Sequence, residues 1–503
     1  MAQPVSNEYE IPETETPIPS LDDLIEQNLG NFGWIQFMQS VLVSLSMFFD
    51  AQQTFITIYT DSHPSWHCTD HTKCSSDSDI CMLPRSAWSW NGPSSMTIIS
   101  QWDIQCASSF IIGLPQSSFF FGCLFGGFLL ATMADSSLGR KNLLFLSCFT
   151  MSATSIVIIV STNVWIYSAL RFLSGFCRSS IITCALVLVA EKGNKKWRFR
   201  MGLVALLSFS LGFLSLPAIA YANRGSSWRF IYLWTSIPAI SYSVSAYFFV
   251  TESPRWLLMK SEQEETSAIP RSAQTEADGD TILSQFKMLP KPKASLINLF
   301  SSIKALFGKR WVTQRLLAVM AVGFGIGMVY FGMPLSVGNL GFNIYLVVMF
   351  NASLEIPSYI ATLFLENCRR KVSILAFSVV SGICSILCSV IGKRVKGVTI
   401  GLELASFFGV CVAFNVLLIY ITELFPTCVR NTATSMVRQA IISGAMCSPF
   451  LISAGRKNDI LSYGVFGVVI MGCSFSVAFL PETKGITLCD TMDEQVQKES
   501  ITL

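Results

Sequence analysis

Asp50 stands in the middle of LSMFFDAQQTF, inside an apolar run from about Trp34 to Tyr59, and Glu355 stands in NASLEIPSYI, inside another. A carboxylate at the centre of a bilayer helix costs roughly 2.5–3.5 kcal/mol on insertion scales, and such residues usually mark pathways. Spacing gives each acid a stripe. Ser46, Asp50, Gln53 and Thr57 fall on one helical face. Asn351, Glu355, Tyr359, Thr362 and Glu366 fall on another. A stripe on a wet cavity would make Asp50 tolerable; a structural hydrogen bond to a neighbouring helix is the other reading. Glu355 is the first candidate for a cationic head group, with a buried pair to a basic residue as the alternative. Arg438 follows Thr434 on one face. Its guanidinium suits bidentate capture of a carboxylate, or neutralisation of Asp50 or Glu355. Tyr330 offers an aromatic face to a quaternary ammonium, or plain packing. Arg171 and Arg178 share a face of one helix.

These side chains need helices to hold them. The chain is 51% hydrophobic and 13% charged, against about 25% charge in a soluble globular chain. Apolar segments long enough to cross a core of about 30 Å recur. The fold class expected is an all-α membrane protein of about twelve helices, near 34–59, 107–134, 142–160, 164–190, 202–221 and 229–250, then 315–338, 340–365, 372–392, 398–422, 432–455 and 461–480. Five regions follow: an acidic tail at 1–33, a six-helix half at 34–250, a polar segment at 251–314, a second half at 315–480 and a tail at 481–503. The N-terminal stretch lacks the basic start and short apolar core of a cleavable signal. The segment SEQEETSAIPRSAQTEADGD has a disordered composition. After it, Leu296, Leu299, Phe300, Ile303 and Phe307 share a face suited to a helix on the membrane surface.

Loop charge sets orientation. Arg140 and Lys141, then Lys192, Lys195, Lys196, Arg198 and Arg200, then Arg369, Arg370 and Lys371 all follow even-numbered helices. GKRVKG at 392–397 is the exception on the other side. Both termini are therefore expected in the cytosol. The loop 60–106 faces away from it and holds Cys68, Cys74, Cys81 and Cys106. Four cysteines in one polar loop read as two disulfides. His63, His67 and His71 make zinc the alternative, but their spacing fits no strong zinc pattern. No metal site and no cofactor are expected.

Three charged clusters occur twice. Asp135, Arg140 and Lys141 match Glu366, Arg369, Arg370 and Lys371; Glu191 and Arg198 match Glu423 and Arg430; Glu252 and Arg255 match Glu482 and Lys484. The offsets are 231 (135 to 366), 232 (191 to 423) and 230 (252 to 482). A constant offset implies a duplicated half. Parallel halves about an axis along the membrane normal mark a rocking transporter, with its substrate site between them near the midplane. The charges at helix ends can serve as gates, as topology signals, or both.

SQWDIQC at 100–106, ESPRWLL at 252–258, ELFPTCVRN at 423–431 and PETKG at 481–485 resemble motifs of the major facilitator superfamily. With the cysteine loop they resemble its organic cation/carnitine transporter branch among the solute carriers, and most closely the plant members. The resemblance runs from LGNFGWIQF at 29–37 to PETKG. The sequence departs from the pattern in three places. Three residues separate Asp135 from Gly139 instead of two, ENCRRK lacks a Gly, and Ile442 stands where related cation carriers often have an Asp. The resemblance implies alternating-access transport of a small organic cation or zwitterion, carnitine among them, with a coupled proton or sodium ion. The candidate substrate-binding residues are then Glu355, Arg438, Asp50, Tyr330 and Gln53. The candidate coupling or gating residues are Asp135, Arg140, Lys141, Arg171, Glu191, Arg198, Glu252, Arg255, Glu366, Arg369, Glu423 and Arg430. Other small solutes such as sugars, or a receptor on a transporter fold, are the alternatives. The lipid bilayer of the plasma or vacuolar membrane is the expected setting. A net charge of +3 gives no case for nucleic acid. No G-x-x-x-x-G-K-[ST] loop supports an ATP-driven pump, and no nucleophile–base pair lies among the apolar segments to support an enzyme.

Overall fold

The computed structural model describes residues 33–70, 72–75, 78–130, 138–192, 195–253, 256, 307–392, 395–455 and 459–484. Expectations for the N-terminal tail, the surface helix around 296–303, Asp135, Arg255 and most of the C-terminal tail lie outside the described residues, as do the side chains of Arg198 and Glu366.

In the first half, α1 is Trp34–Phe55, α2 Ser109–Leu129, α3 Arg140–Ile158, α4 Val164–Arg178 resuming as Ile181–Lys192, α5 Lys195–Ala222 and α6 Trp228–Phe249. In the second, α7 is Arg310–Ser336, α8 Ile344–Phe364, α9 Arg370–Ile391, α10 Lys396–Leu424, α11 Thr427–Ala454 and α12 Asp459–Ser474. Among the described residues, 11 spans are long and apolar enough to cross a membrane. Helix α6 has the length, at 22 residues. Arg229, Thr235, Ser236, Ser241 and Ser243 keep its hydropathy below that of the rest. Helices α2, α4, α6 and α8 start at the end that carries the cysteine loop. There Ser108, Asn163, Ser227 and Asn343 each accept a hydrogen bond from a first-turn backbone N–H. Such caps satisfy donors that a helix start leaves orphaned.

The two halves repeat their packing. Gly212 lets α5 close on the backbone of α1 at Phe48, where an added Cβ would lie 2.1 Å from the Phe48 carbonyl oxygen. Gly444 does the same for α11 on α7, 2.1 Å from the Phe324 carbonyl oxygen. These glycines are 232 residues apart (212 to 444), the spacing of the charged clusters. Small residues allow such close approach where lipid gives helices no hydrophobic drive to associate.

Strands β1 (Trp66–Cys68) and β2 (Trp88–Trp90) form an antiparallel ribbon in the loop, with Trp66 opposite Trp90. This ribbon is a small β addition to the expected all-α fold. Disulfides join Cys68 to Cys74 and Cys81 to Cys106. All four loop cysteines are consumed, and His67 Nδ1 lies 2.6 Å from Asn91 Oδ1. Among the described residues, no group of three or more His, Cys, Asp or Glu is placed to hold a metal.

The loop end of the interface between halves is closed by rings. Tyr59 stacks on Tyr345 at 5.6 Å, Tyr221 meets Tyr345 edge-on at 5.6 Å, and Phe110 stacks on Phe450 at 5.2 Å. Each pair joins the first half to the second.

Candidate functional site

Asp50 is fully buried. Arg178 of α4 grips it twice, Nε donating to Oδ1 at 2.6 Å and Nη2 to Oδ2 at 2.5 Å. Of the stripe, which could face a wet cavity or make structural hydrogen bonds, Ser46, Asp50, Gln53 and Thr57 are all buried. Gln53 Nε2 donates to Thr235 Oγ1 at 3.2 Å and Gln53 Oε1 accepts from Ser155 Oγ at 2.9 Å, so it ties α1 to α6 and α3. Thr57 donates to Gln116 Oε1 at 2.8 Å. Arg171, also fully buried, donates to that same oxygen at 2.6 Å and to the Gln53 carbonyl at 3.1 Å. Arg171 thereby links α4 to α1 and α2. The sequence shows Arg171 and Arg178 on one face; the structure adds that this face is turned toward α1.

Arg438 comes from the other half. Its Nη1 donates to Thr183 Oγ1 of α4, and the guanidinium lies within electrostatic range of both Asp50 and Arg178. Two cations therefore surround one carboxylate, and the Asp50 oxygens are already taken by Arg178. This pole carries one positive charge in excess.

The opposite pole is Glu355, 1% exposed on α8. Tyr330 of α7 donates to its Oε1 at 2.6 Å and Ser210 of α5 to its Oε2 at 2.6 Å. Tyr359 lies 3.1 Å from the same Ser210 hydroxyl. Among the described residues, no Lys or Arg pairs with Glu355. The carboxyl group is thus held by neutral donors, with no basic partner among the described residues. Tyr330 stacks on Phe414 at 4.9 Å and on Phe407 at 5.9 Å, which fixes its ring beside the acid. Ser210 belongs to the first half and Glu355 to the second, so this pole also sits on the interface.

Aromatic residues connect the poles. Phe331 meets Tyr330 edge-on at 5.0 Å and Phe120 edge-on at 5.1 Å, and it stacks on Phe55 at 6.1 Å. Phe119, beside Phe120, lies 4.2 Å under the Arg171 guanidinium and 5.4 Å under that of Arg178. Ile442 packs against the Phe119, Phe120 and Cys123 cluster. An Asp at that position would face apolar rings.

At the other end of the helices the charged clusters repeat in three dimensions. Arg140 pairs with Glu191, and Arg370 with Glu423 at 3.4 Å. Glu252 accepts from the backbone N–H of Lys141 at 3.0 Å, and Glu482 from that of Arg370 at 2.8 Å. Ser253 donates to Glu191 at 2.6 Å, and Thr483 to Glu423 at 2.7 Å. Each acid after a sixth helix of its half thus caps the third helix of that half, where a negative charge is favoured. Arg370, not its neighbour Arg369, supplies the ion pair. Arg369 is the N-cap of α9 and its carbonyl accepts from Ser373 at 3.0 Å. Arg430 donates to the Phe425 carbonyl at 3.3 Å. These described pairs stay within one half.

Sequence reasoning did not single out Ser210, Gln116 or Glu403. Hydroxyls and amides in apolar helices are too common to stand out. Glu403 was detectable as a carboxylate within IGLELASFFG.

The family model described as "Sugar (and other) transporter" matches residues 34–494. Organic cation/carnitine transporter 2 of Arabidopsis thaliana is 49% identical over 498 residues, covering 95% of this chain and 94% of the relative. Organic cation/carnitine transporter 3 of the same plant is 48% identical over 504 residues, covering 99% and 97%. The inward-open conformation of the xylose transporter XylE from E. coli superposes with a TM-score of 0.62 at 16% identity, covering 90% of this chain and 98% of that one. The last likeness carries the fold alone. Two six-helix halves, a charged interface between them and plant relatives at nearly half identity over nearly their whole length make this an integral, multi-pass membrane protein that belongs to the major facilitator superfamily, in its organic cation/carnitine transporter branch.

Proposed function

We propose that the protein is a secondary transporter of organic cations and zwitterions of the carnitine kind, working by alternating access of one site between its halves. The observation that carries this reading is the pair of opposite poles on one interface. Glu355 bonds Ser210 across it, and Arg438 bonds Thr183 across it. A molecule with a quaternary ammonium and a carboxylate matches both poles. Its ammonium belongs at Glu355 beside the Tyr330 ring, and its carboxylate at Arg438. The names of the plant relatives agree with that chemistry.

Basic loops support a reading with both termini in the cytosol and the disulfide ribbon on the opposite face. The ring pairs then lie at the outer end of the interface. The charge clusters are the hinges and gates of each half. A proton or sodium gradient drives net uptake, and the membrane is the plasma or vacuolar one.

Arg438→Gln tests the zwitterion reading. A hydrogen bond to a charged group contributes about 1.5–3 kcal/mol. Carnitine uptake should therefore fall about 10-fold or more beyond any loss for choline, which has the ammonium alone. Equal loss for both would reject Arg438 as the carboxylate's partner.

A further inference from the structure

A third buried acid stands apart from both poles. Glu403 of α10 is fully buried, and its Oε1 accepts from Asn351 Nδ2 of α8 at 2.9 Å. Among the described residues, no Lys or Arg pairs with it. Two atoms of this pair are left over: Glu403 Oε2 and Asn351 Oδ1 are buried without a partner. If Glu403 is ionised, both are acceptors, and neither has a donor. Burying a charge with a single neutral donor is costly, and each unsatisfied acceptor adds a desolvation penalty. A proton on Oε2 removes both problems. The acid then donates to Asn351 Oδ1 while the amide donates to Oε1. Carboxyl and carboxamide are planar forks, and with that proton they can close a ring of two hydrogen bonds.

The surroundings supply no substitute charge. Helix α10 packs against α7, α8, α9 and α11. From α9 comes the Cys388 thiol, which points to the Thr399 carbonyl at 3.7 Å. From α8 comes Glu355, one turn past Asn351 and held by Tyr330 of α7. No charged group of α11 among the described residues interacts with Glu403.

We propose that Glu403 is the proton site of the carrier, loaded as the neutral acid against Asn351 in this conformation. Asn351 and Glu355 share α8, so a movement of α8 on filling the Glu355 pole draws the amide away from Glu403. Unloading breaks the Oε2–H bond, leaves the electron pair on the carboxylate and passes the proton to water. Glu403 lies seven residues from Lys396, the start of α10, or about 10 Å along the helix at about 1.5 Å per residue. That places it near the loop end.

Infrared spectroscopy of the reconstituted full chain tests the loading without any substrate. Wild type should show the C=O stretch of a buried carboxylic acid that is absent from Glu403→Gln and shifted in Asn351→Ala. A spectrum of wild type identical to that of Glu403→Gln in this region, or a band indifferent to Asn351→Ala, would overturn the assignment. If Glu403→Gln does not fold, the Asn351→Ala shift decides alone. In proteoliposomes, Glu403→Gln should lose the stimulation of carnitine uptake by a pH gradient 10-fold or more, far beyond its loss of carnitine exchange. Stimulation retained would refute the coupling role. This coupling arm rests on the transport reading. A wild type that does not carry carnitine would count against that reading, while the infrared band would still settle Glu403.

Discussion

Arg178 and Asp50 face each other across α4 and α1 in a two-pronged ion pair, with both contacts at 2.5–2.6 Å and both side chains buried. Each therefore depends on the other. Removing one partner of a buried pair leaves an uncompensated charge and costs about 3–5 kcal/mol. Asp50→Asn and Arg178→Gln should each lower the thermal midpoint of the purified protein strongly. The double variant should recover a large part of the loss, since no lone charge remains. Two mild single variants with additive effects would show that the pair contributes little.

Glu355 and Tyr330 should separate by their effect on affinity. Glu355→Gln keeps shape and removes the acid that would meet a cationic head group at that pole. Binding of a quaternary ammonium, followed by calorimetry, should weaken about 10-fold or more, as the loss of a charge-assisted contact of about 1.5–3 kcal/mol requires. Tyr330→Phe keeps the ring, which stays stacked on Phe414, and removes only the hydroxyl. It should weaken binding less. Unchanged binding in Glu355→Gln would remove the residue from the site.

The helices and their pairing into two halves were legible because hydropathy and a constant offset are properties of the chain alone. The isolated carboxylates Asp50 and Glu355 stood out for the same reason. Their partners did not. Asp50 is 128 residues from Arg178 and Glu355 is 145 from Ser210, and nothing in local spacing chooses Arg178 over Arg171 or Arg438. The burial of the Asp50 stripe was equally hidden. Periodicity shows that residues share a face, while what covers that face is decided by α3, α4 and α6. Which of the two arginines pairs with Glu423 was hidden for a similar reason. Adjacent arginines look alike in a motif, but only the one inside the first turn of α9 points at Glu423.

The symmetric caps predict symmetric damage. Glu252→Ala frees the Lys141 backbone N–H and Glu482→Ala frees that of Arg370. Loss of a helix cap typically costs about 1 kcal/mol. The two variants should lower the thermal midpoint by similar amounts and slow transport more than they weaken substrate binding. A loss confined to one of them would contradict equivalent roles for the two halves.

The loop should yield two defined cross-linked peptides. Digestion without reduction, followed by mass spectrometry, should find Cys68 joined to Cys74 and Cys81 joined to Cys106. Cysteines within the helices, such as Cys123 and Cys411, should remain free thiols. Alkylation of the loop cysteines in the native, unreduced protein would contradict both the pairing and the oxidising side assigned to the loop.

Uptake by proteoliposomes carrying the purified full chain tests the transport reading most directly, with radiolabelled carnitine, choline and xylose offered in parallel. Carnitine should enter in a saturable way, choline should compete with it, and xylose should neither enter nor compete. Saturable xylose uptake, or carnitine entry no faster than in protein-free vesicles, would contradict an organic cation and zwitterion carrier built on the Glu355 and Arg438 poles.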